Sequence, residues 1–181
     1  MDHLRMDLFT YEGMSYLAVA NLDSGYYFCE SLGKKTSSKQ VSDIVRKIFI
    51  KMGIPFHVSM DGGSHFRGPF NELLEEFKIP YTLSSPNNPE RSGPVECFVG
   101  TAKLLLEKTL EAQENFEEAL SYLNHLARAE GYLPFELFYC RRPWSFLPYI
   151  THNVDFKKGM KRRDKKHVEM CKRMTMWKSK R

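Results

Sequence analysis

Three acidic residues, Asp7, Asp61 and Glu96, stand where a strand or helix pattern can deliver their side chains to one point. Carboxylates are hard oxygen ligands. Magnesium needs only a few of them beside substrate phosphates and water, so three acids from distant parts of a chain are enough. Two such ions roughly 4 Å apart activate an attacking oxygen and stabilise a departing one in an in-line displacement at phosphorus. The chemistry this offers is the cutting and joining of phosphodiesters, with two Mg2+ ions as cofactor and Mn2+ as a substitute. Taken singly, each acid is better read as a solvated residue or a turn former, so the elements around them have to carry the argument.

Asp7 lies in the apolar-bounded run Leu4 to Phe9, which reads as a strand, and Asp61 ends a second such run, Pro55 to Met60. Alternating apolar positions predict a meander of Leu4 to Phe9, Tyr16 to Asn21 and Tyr26 to Leu32, with Asp23-Ser24-Gly25 turning between the last two strands. Ser37-Ser38 opens a helix whose apolar stripe is Val41, Ile44, Val45, Ile48 and Phe49, and Gly53 is placed to end it. A short helix through Phe70, Leu73, Leu74 and Phe77 precedes a strand at Ile79 to Leu83. The resulting β-α-β-α-β order implies parallel pairing.

Residues 84–92, Ser-Ser-Pro-Asn-Asn-Pro-Glu-Arg-Ser, are too rich in breakers for regular structure and predict a mobile loop. Pro94 then suits the first turn of the helix that carries Glu96. Along that helix Phe98, Leu105, Leu106 and Leu110 are expected in a core or a dimer contact. A further helix is predicted over about 116–129, with Leu120, Leu123, Leu126 and Ala127 facing inward.

With Asp61-Gly62-Gly63-Ser64-His65-Phe66, the 34 residues separating Asp61 from Glu96, and Asn88 to Val95 leading into Glu96, the chain resembles the catalytic core of retroviral and retrotransposon integrases. The resemblance covers about residues 4–148. It extends to the opening strands with their Ser24-Gly25 pair, and to Pro134-Phe135-Glu136-Leu137-Phe138-Tyr139-Cys140-Arg141-Arg142-Pro143, which is similar to the closing segment of gypsy-class long-terminal-repeat retrotransposons. It implies an α/β fold, a ribonuclease H-like five-stranded mixed sheet flanked by helices, in which the first and fourth strands are neighbours. By the family's pattern Asp7, Asp61 and Glu96 would be the catalytic metal ligands, Ser64 would lie near target DNA, and Lys103 would approach the DNA end. Asn88, Arg91 and Ser92 fall within reach of the same nucleic acid. Four positions depart from the pattern: Gly62 stands where Asn is frequent, Cys97 replaces a commoner polar residue, Asn21 stands where relatives often carry Asp, and Cys140 stands where Gly is common; the spacing from Asp61 to Glu96 is also slightly shorter than most often seen.

The implied activity is 3′-end processing and strand transfer of retroelement DNA by a homo-oligomer in the nucleus. Three alternatives stay open from sequence: a domesticated integrase-derived module that binds DNA or protein without catalysis, another ribonuclease H-like nuclease or transposase, and a globular α/β domain with a basic tail and a purely structural role.

Composition fits this reading. A chain of 181 residues with 42% hydrophobic content can bury one substantial core. We divide it into a core over 1–148 and a basic C-terminal tail over 149–181. No apolar run approaches the roughly 20 residues that cross a bilayer, so no membrane partner is expected and the protein is expected to be soluble and intracellular. Only six residues precede Asp7, which leaves no room in this sequence for the zinc domain that usually precedes such a core.

Four scattered cysteines, Cys29, Cys97, Cys140 and Cys171, form no C-x-x-C pair, and neither a disulfide framework nor a structural zinc site is expected. The net charge of +5 conceals an asymmetry. Residues 157–181 hold twelve Lys or Arg against two acids, while residues 1–156 hold 15 basic and 20 acidic residues. Such a tail neutralises phosphates, serves as a nuclear address or is a solvated helix.

Overall fold

The computed structural model describes residues 3–84, 93–128, 131 and 133–139. Strands β1 (His3–Tyr11), β2 (Met14–Asn21) and β3 (Tyr27–Gly33) form the predicted antiparallel meander. Helix α1 (Ser38–Met52) leads to β4 (His57–Asp61), and α2 (Pro69–Glu76) leads to β5 (Tyr81–Ser84). Both β4 and β5 run parallel to β1, giving the mixed sheet order β3-β2-β1-β4-β5. Helices α3 (Gly93–Ala112), α4 (Phe116–Asn124) and α5 (Pro134–Tyr139) follow.

Alternation along the strands sorts the core into two layers. Leu4, Met6, Leu17, Val19, Val58 and Met60 point to one face, where they pack with Val41, Val45, Ile48 and Phe49 of α1 and Phe70, Leu73 and Leu74 of α2. Phe9, Ala18, Ala20 and Cys29 point to the other face, where Val95, Phe98, Ala102 and Leu106 of α3 cover them. The small side chains of Ala18 and Ala20 let α3 approach the sheet closely. Phe98 is fully buried and stacks on Tyr27, with ring centroids 4.1 Å apart and planes 2° from parallel. Phe98→Ala is expected to destabilise the fold by about 3–5 kcal/mol, a large share of a typical domain's stability, as a lower denaturant midpoint with unchanged slope.

Local chemistry explains several boundaries. Ser37 caps α1 by accepting from the Gln40 N–H at 3.2 Å, and Gly53 ends the helix at φ 95°, its N–H reaching the Phe49 carbonyl at 2.9 Å. Asn21, one of the departures from the family pattern, builds the turn into β3: its buried Oδ1 accepts from the Asp23 N–H, the Ser24 N–H and the Ser24 hydroxyl. Strand β5 begins two residues later than predicted. Pro80 has no N–H to give to the ladder, and its carbonyl accepts from the Val58 N–H at 3.1 Å. Arg46 and Glu76 tie α1 to α2 with two hydrogen bonds of 2.8 and 2.5 Å.

One expectation for the later helices is corrected. Helix α4 stops at Asn124, short of the predicted end near Ala129, and Leu126 is 59% exposed, so no burial sustains the helix past Leu123. On α3, Leu106 is buried but Leu110 is 57% exposed. The described residues fall into two compact units, one ending at Leu123 and one beginning at Asn124. Within the second, His125 stacks on Phe135 at 4.6 Å, and Phe135 lies against Tyr139 of α5 at 4.5 Å. No described helix is long and apolar enough to cross a membrane. The segment from Cys140 onward, including the basic tail, lies outside the described residues.

Candidate active site

Parallel pairing of β1 with β4 runs from His3↔His57 to Met6↔Met60, so the next step along both strands brings Asp7 beside Asp61. Alternation puts Asp7 on the Phe9 side of β1, the side covered by α3. Glu96 lies in the first turn of that helix. Asp7 registers the result: partial burial raises its pKa above the ordinary 3.8, and the charges of Asp61 and Glu96 push it the same way. The Leu8 N–H, which donates to Asp7 Oδ1 at 2.8 Å, and the Arg5 guanidinium oppose the rise. All three acids therefore share one electrostatic neighbourhood, with Asp61 and Glu96 exposed and Asp7 half-buried.

The donor set suits a hard divalent cation, being carboxylate oxygen throughout and mutually repulsive. Among the described residues no group of three Asp, Glu, His or Cys side chains stands ready to hold a single ion. Asp7 with Asp61, and Asp7 with Glu96, are the carboxylate pairs that could hold divalent cations here.

Asp61 is held by the loop that follows it. Its Oδ1 accepts from the Gly63 N–H at 3.2 Å, and a Cβ on Gly63 would lie 3.0 Å from that same oxygen. A side chain at position 63 would push the carboxylate aside by a few tenths of an ångström. The Arg67 guanidinium closes the loop by donating to the Gly62 carbonyl at 2.9 Å. Ser64 opens a single 3₁₀ turn, Ser64–Phe66, and is exposed, while Phe66 anchors the turn in the core against Phe70. Lys103 is exposed on α3, with its ammonium 5.8 Å from the centroid of the Phe9 ring. Asn88, Arg91 and Ser92 lie outside the described residues.

Arg5 is not among the candidate site residues named from the sequence. Arg5 is 5% exposed and its Nε has no hydrogen-bond partner. Two-residue alternation alone would have placed it on the Asp7 side of β1. Cys29 is buried, and burial pushes its thiol up to about 12, which makes it inert as a nucleophile.

The catalytic core domain of BIV integrase superposes on 76% of this chain and 93% of its own length, with a TM-score of 0.65 at 22% identity. This chain has the fold of a retroviral integrase catalytic core. A chain of the simian T-cell lymphotropic virus intasome, solved in complex with PP2A regulatory subunit B56 gamma, matches this integrase-like fold with a TM-score of 0.68 at 21% identity. It covers 83% of this chain and 58% of its own. In sequence the chain is 35% identical over 78 residues to the Gag-Pro-Pol polyprotein of human T-cell leukemia virus 2, and 33% identical over 85 residues to the Gag-Pol polyprotein of walleye dermal sarcoma virus. These stretches take in 42% and 46% of the chain, which spans 5% of either polyprotein. No family model matches the chain.

Proposed function

We propose that this protein is an integrase core that processes 3′ ends of retroelement DNA and transfers them to target DNA, with Asp7, Asp61 and Glu96 as its catalytic metal ligands. The observation that carries the reading is geometric: the β1–β4 register sets Asp7 beside Asp61, on the side of the sheet covered by the helix whose first turn bears Glu96, on an integrase-core fold. Like-charged carboxylates gathered in this way are costly unless cations join them.

Bound Mg2+ or Mn2+ would lower the pKa of the attacking oxygen and stabilise the departing one. The chain's own part is to hold the reactants in line. Asp7 is fixed by the Leu8 N–H and Asp61 by the Gly63 N–H, so neither carboxylate has to be ordered at the moment of reaction. Water would attack a phosphodiester near the 3′ end of the element, and the freed 3′ hydroxyl would then attack a target phosphodiester. No covalent protein intermediate and no separate side-chain base are needed. Ser64 faces target DNA in this reading. Lys103, with Asn88, Arg91 and Ser92, holds the element end. Assembly of at least two copies and action in the nucleus belong to the same proposal.

The test is joining of a pre-cut DNA end to a target duplex. Metal-dependent joining supports the reading; metal-dependent hydrolysis without joining would favour another ribonuclease H-like nuclease, and DNA binding with neither activity would favour a domesticated binding module. The tail has its own prediction. Deleting residues 157–181 is expected to weaken binding to all DNA sequences alike and to flatten the slope of log K against log salt by about 0.9 per lost phosphate contact. An unchanged slope would leave the tail as a nuclear address or a solvated helix.

A further inference from the structure

Glu96, Gly100 and Lys103 fall at i, i+4 and i+7 on α3, one exposed stripe beside the buried stripe of Val95, Phe98, Ala102 and Leu106. Among the described residues nothing requires glycine at position 100. It lies in the interior of a 20-residue helix, its φ is not in the left-handed region, and a Cβ there would meet nothing within 4 Å. Glycine is among the weakest helix formers, and alanine would fit here without strain. Open space at an unforced glycine is what a ligand backbone needs for close approach.

One turn further on, the Lys103 ammonium lies over the Phe9 ring. Phe9 is buried and leaves β1 on the same side as Asp7, two residues beyond it. The ring cannot drift: Tyr16 stacks on it at 5.3 Å with planes 14° apart, and Phe116 of α4 meets Tyr16 at 6.4 Å edge-on. A flexible lysine is thereby drawn toward one position by the face of a rigid aromatic stack.

We propose that Phe9, Gly100 and Lys103 form a seat for one backbone phosphate of the DNA end: Phe9 is a positioning residue for the Lys103 ammonium, and Gly100 clears the approach between Lys103 and Glu96. This rests on the integrase reading above, which already gives Lys103 the DNA end, and adds to it the parts that Phe9 and Gly100 play there.

Three variants, Gly100→Ala, Phe9→Leu and Lys103→Gln, are compared with the parent on a pre-cut duplex end. Gly100→Ala is expected to raise Tm by roughly 1–3 °C, as alanine in a helix should, and yet to weaken end binding by about tenfold through loss of close approach. Phe9→Leu keeps an apolar side chain in the core and is expected to weaken binding by about two- to fivefold. Its effect should vanish in a Lys103→Gln background, because Phe9 acts through Lys103.

The Lys103 ε-methylene protons should carry an upfield ring-current shift that Phe9→Leu abolishes, a readout that needs no DNA. Unchanged end affinity in Gly100→Ala, additivity of Phe9→Leu with Lys103→Gln, or an unshifted Lys103 resonance in the parent would each overturn the seat while leaving the integrase reading intact. Failure of the parent chain to bind DNA would overturn both.

Discussion

Asp61→Asn is expected to reduce metal-dependent joining of DNA ends by more than about 100-fold while leaving DNA affinity within about threefold. Loss of a residue that merely orients a metal ligand costs 10–100-fold in affinity or activity, so loss of a ligand should exceed that range. Affinity for DNA comes chiefly from phosphate contacts with cations, to which a carboxylate contributes nothing favourable. A second signature does not depend on DNA. In the parent, Mg2+ at a hundredfold excess over its Kd should stabilise the fold by about 2.7 kcal/mol, read as a rise in Tm, and Asp61→Asn should lose most of that gain. Because Asp61 is exposed at the end of β4, the variant should fold as the parent does. Joining that survives in Asp61→Asn, or an equal Mg2+-induced shift in both proteins, would remove Asp61 from the site.

How far the sequence anticipates this site depends on what kind of information each part requires. Strand β1 and the stripe of α1 are legible because periodicity is a local property: Leu4, Met6 and Leu8 alternate, and Val41, Val45, Ile48 and Phe49 recur at helical spacing between a Ser37 cap and a Gly53 stop. Parallel crossovers alone leave open which strand β4 joins, and the pairing of β1 with β4 is what the integrase resemblance implies. Leu126 shows the limit of periodicity. Its register matches Leu123, but continuation of a helix depends on what lies opposite, which the pattern does not encode.

The finer features of the site are illegible for the same reason. Gly63 matters because an oxygen of Asp61 stands 3.0 Å from where a Cβ would be. Phe9 matters because a lysine 94 positions away in sequence lies over its ring. Arg5 looks like an ordinary strand residue until its burial beside an acid cluster is known. Such pairings exist only after strands and helices have docked.

Asp7→Asn is expected to lower joining by more than about 100-fold and, at the same time, to stabilise the metal-free fold near neutral pH. Burial, then the charges of Asp61 and Glu96, raise the folded pKa of Asp7 above 3.8. A carboxyl that holds its proton more tightly folded than unfolded favours the native state while it is protonated, below the unfolded value. That advantage disappears as pH rises through the folded value, and at neutral pH the ionised carboxylate is a net burden on the fold. Asparagine carries no charge, and its Oδ1 can still accept from the Leu8 N–H. The Tm of Asp7→Asn should therefore exceed that of the parent at pH 7, and the gap should close as pH falls toward 3. Saturating Mg2+ should reverse the order at pH 7, since the parent gains ligand-binding free energy that the variant cannot. A side chain retained at the expense of stability and indispensable to catalysis is the pattern expected of a group selected for function. If Asp7→Asn were less stable than the parent at pH 7 without metal, Asp7 would be a structural residue of the strand, and the acid cluster would lose the member common to its two pairs.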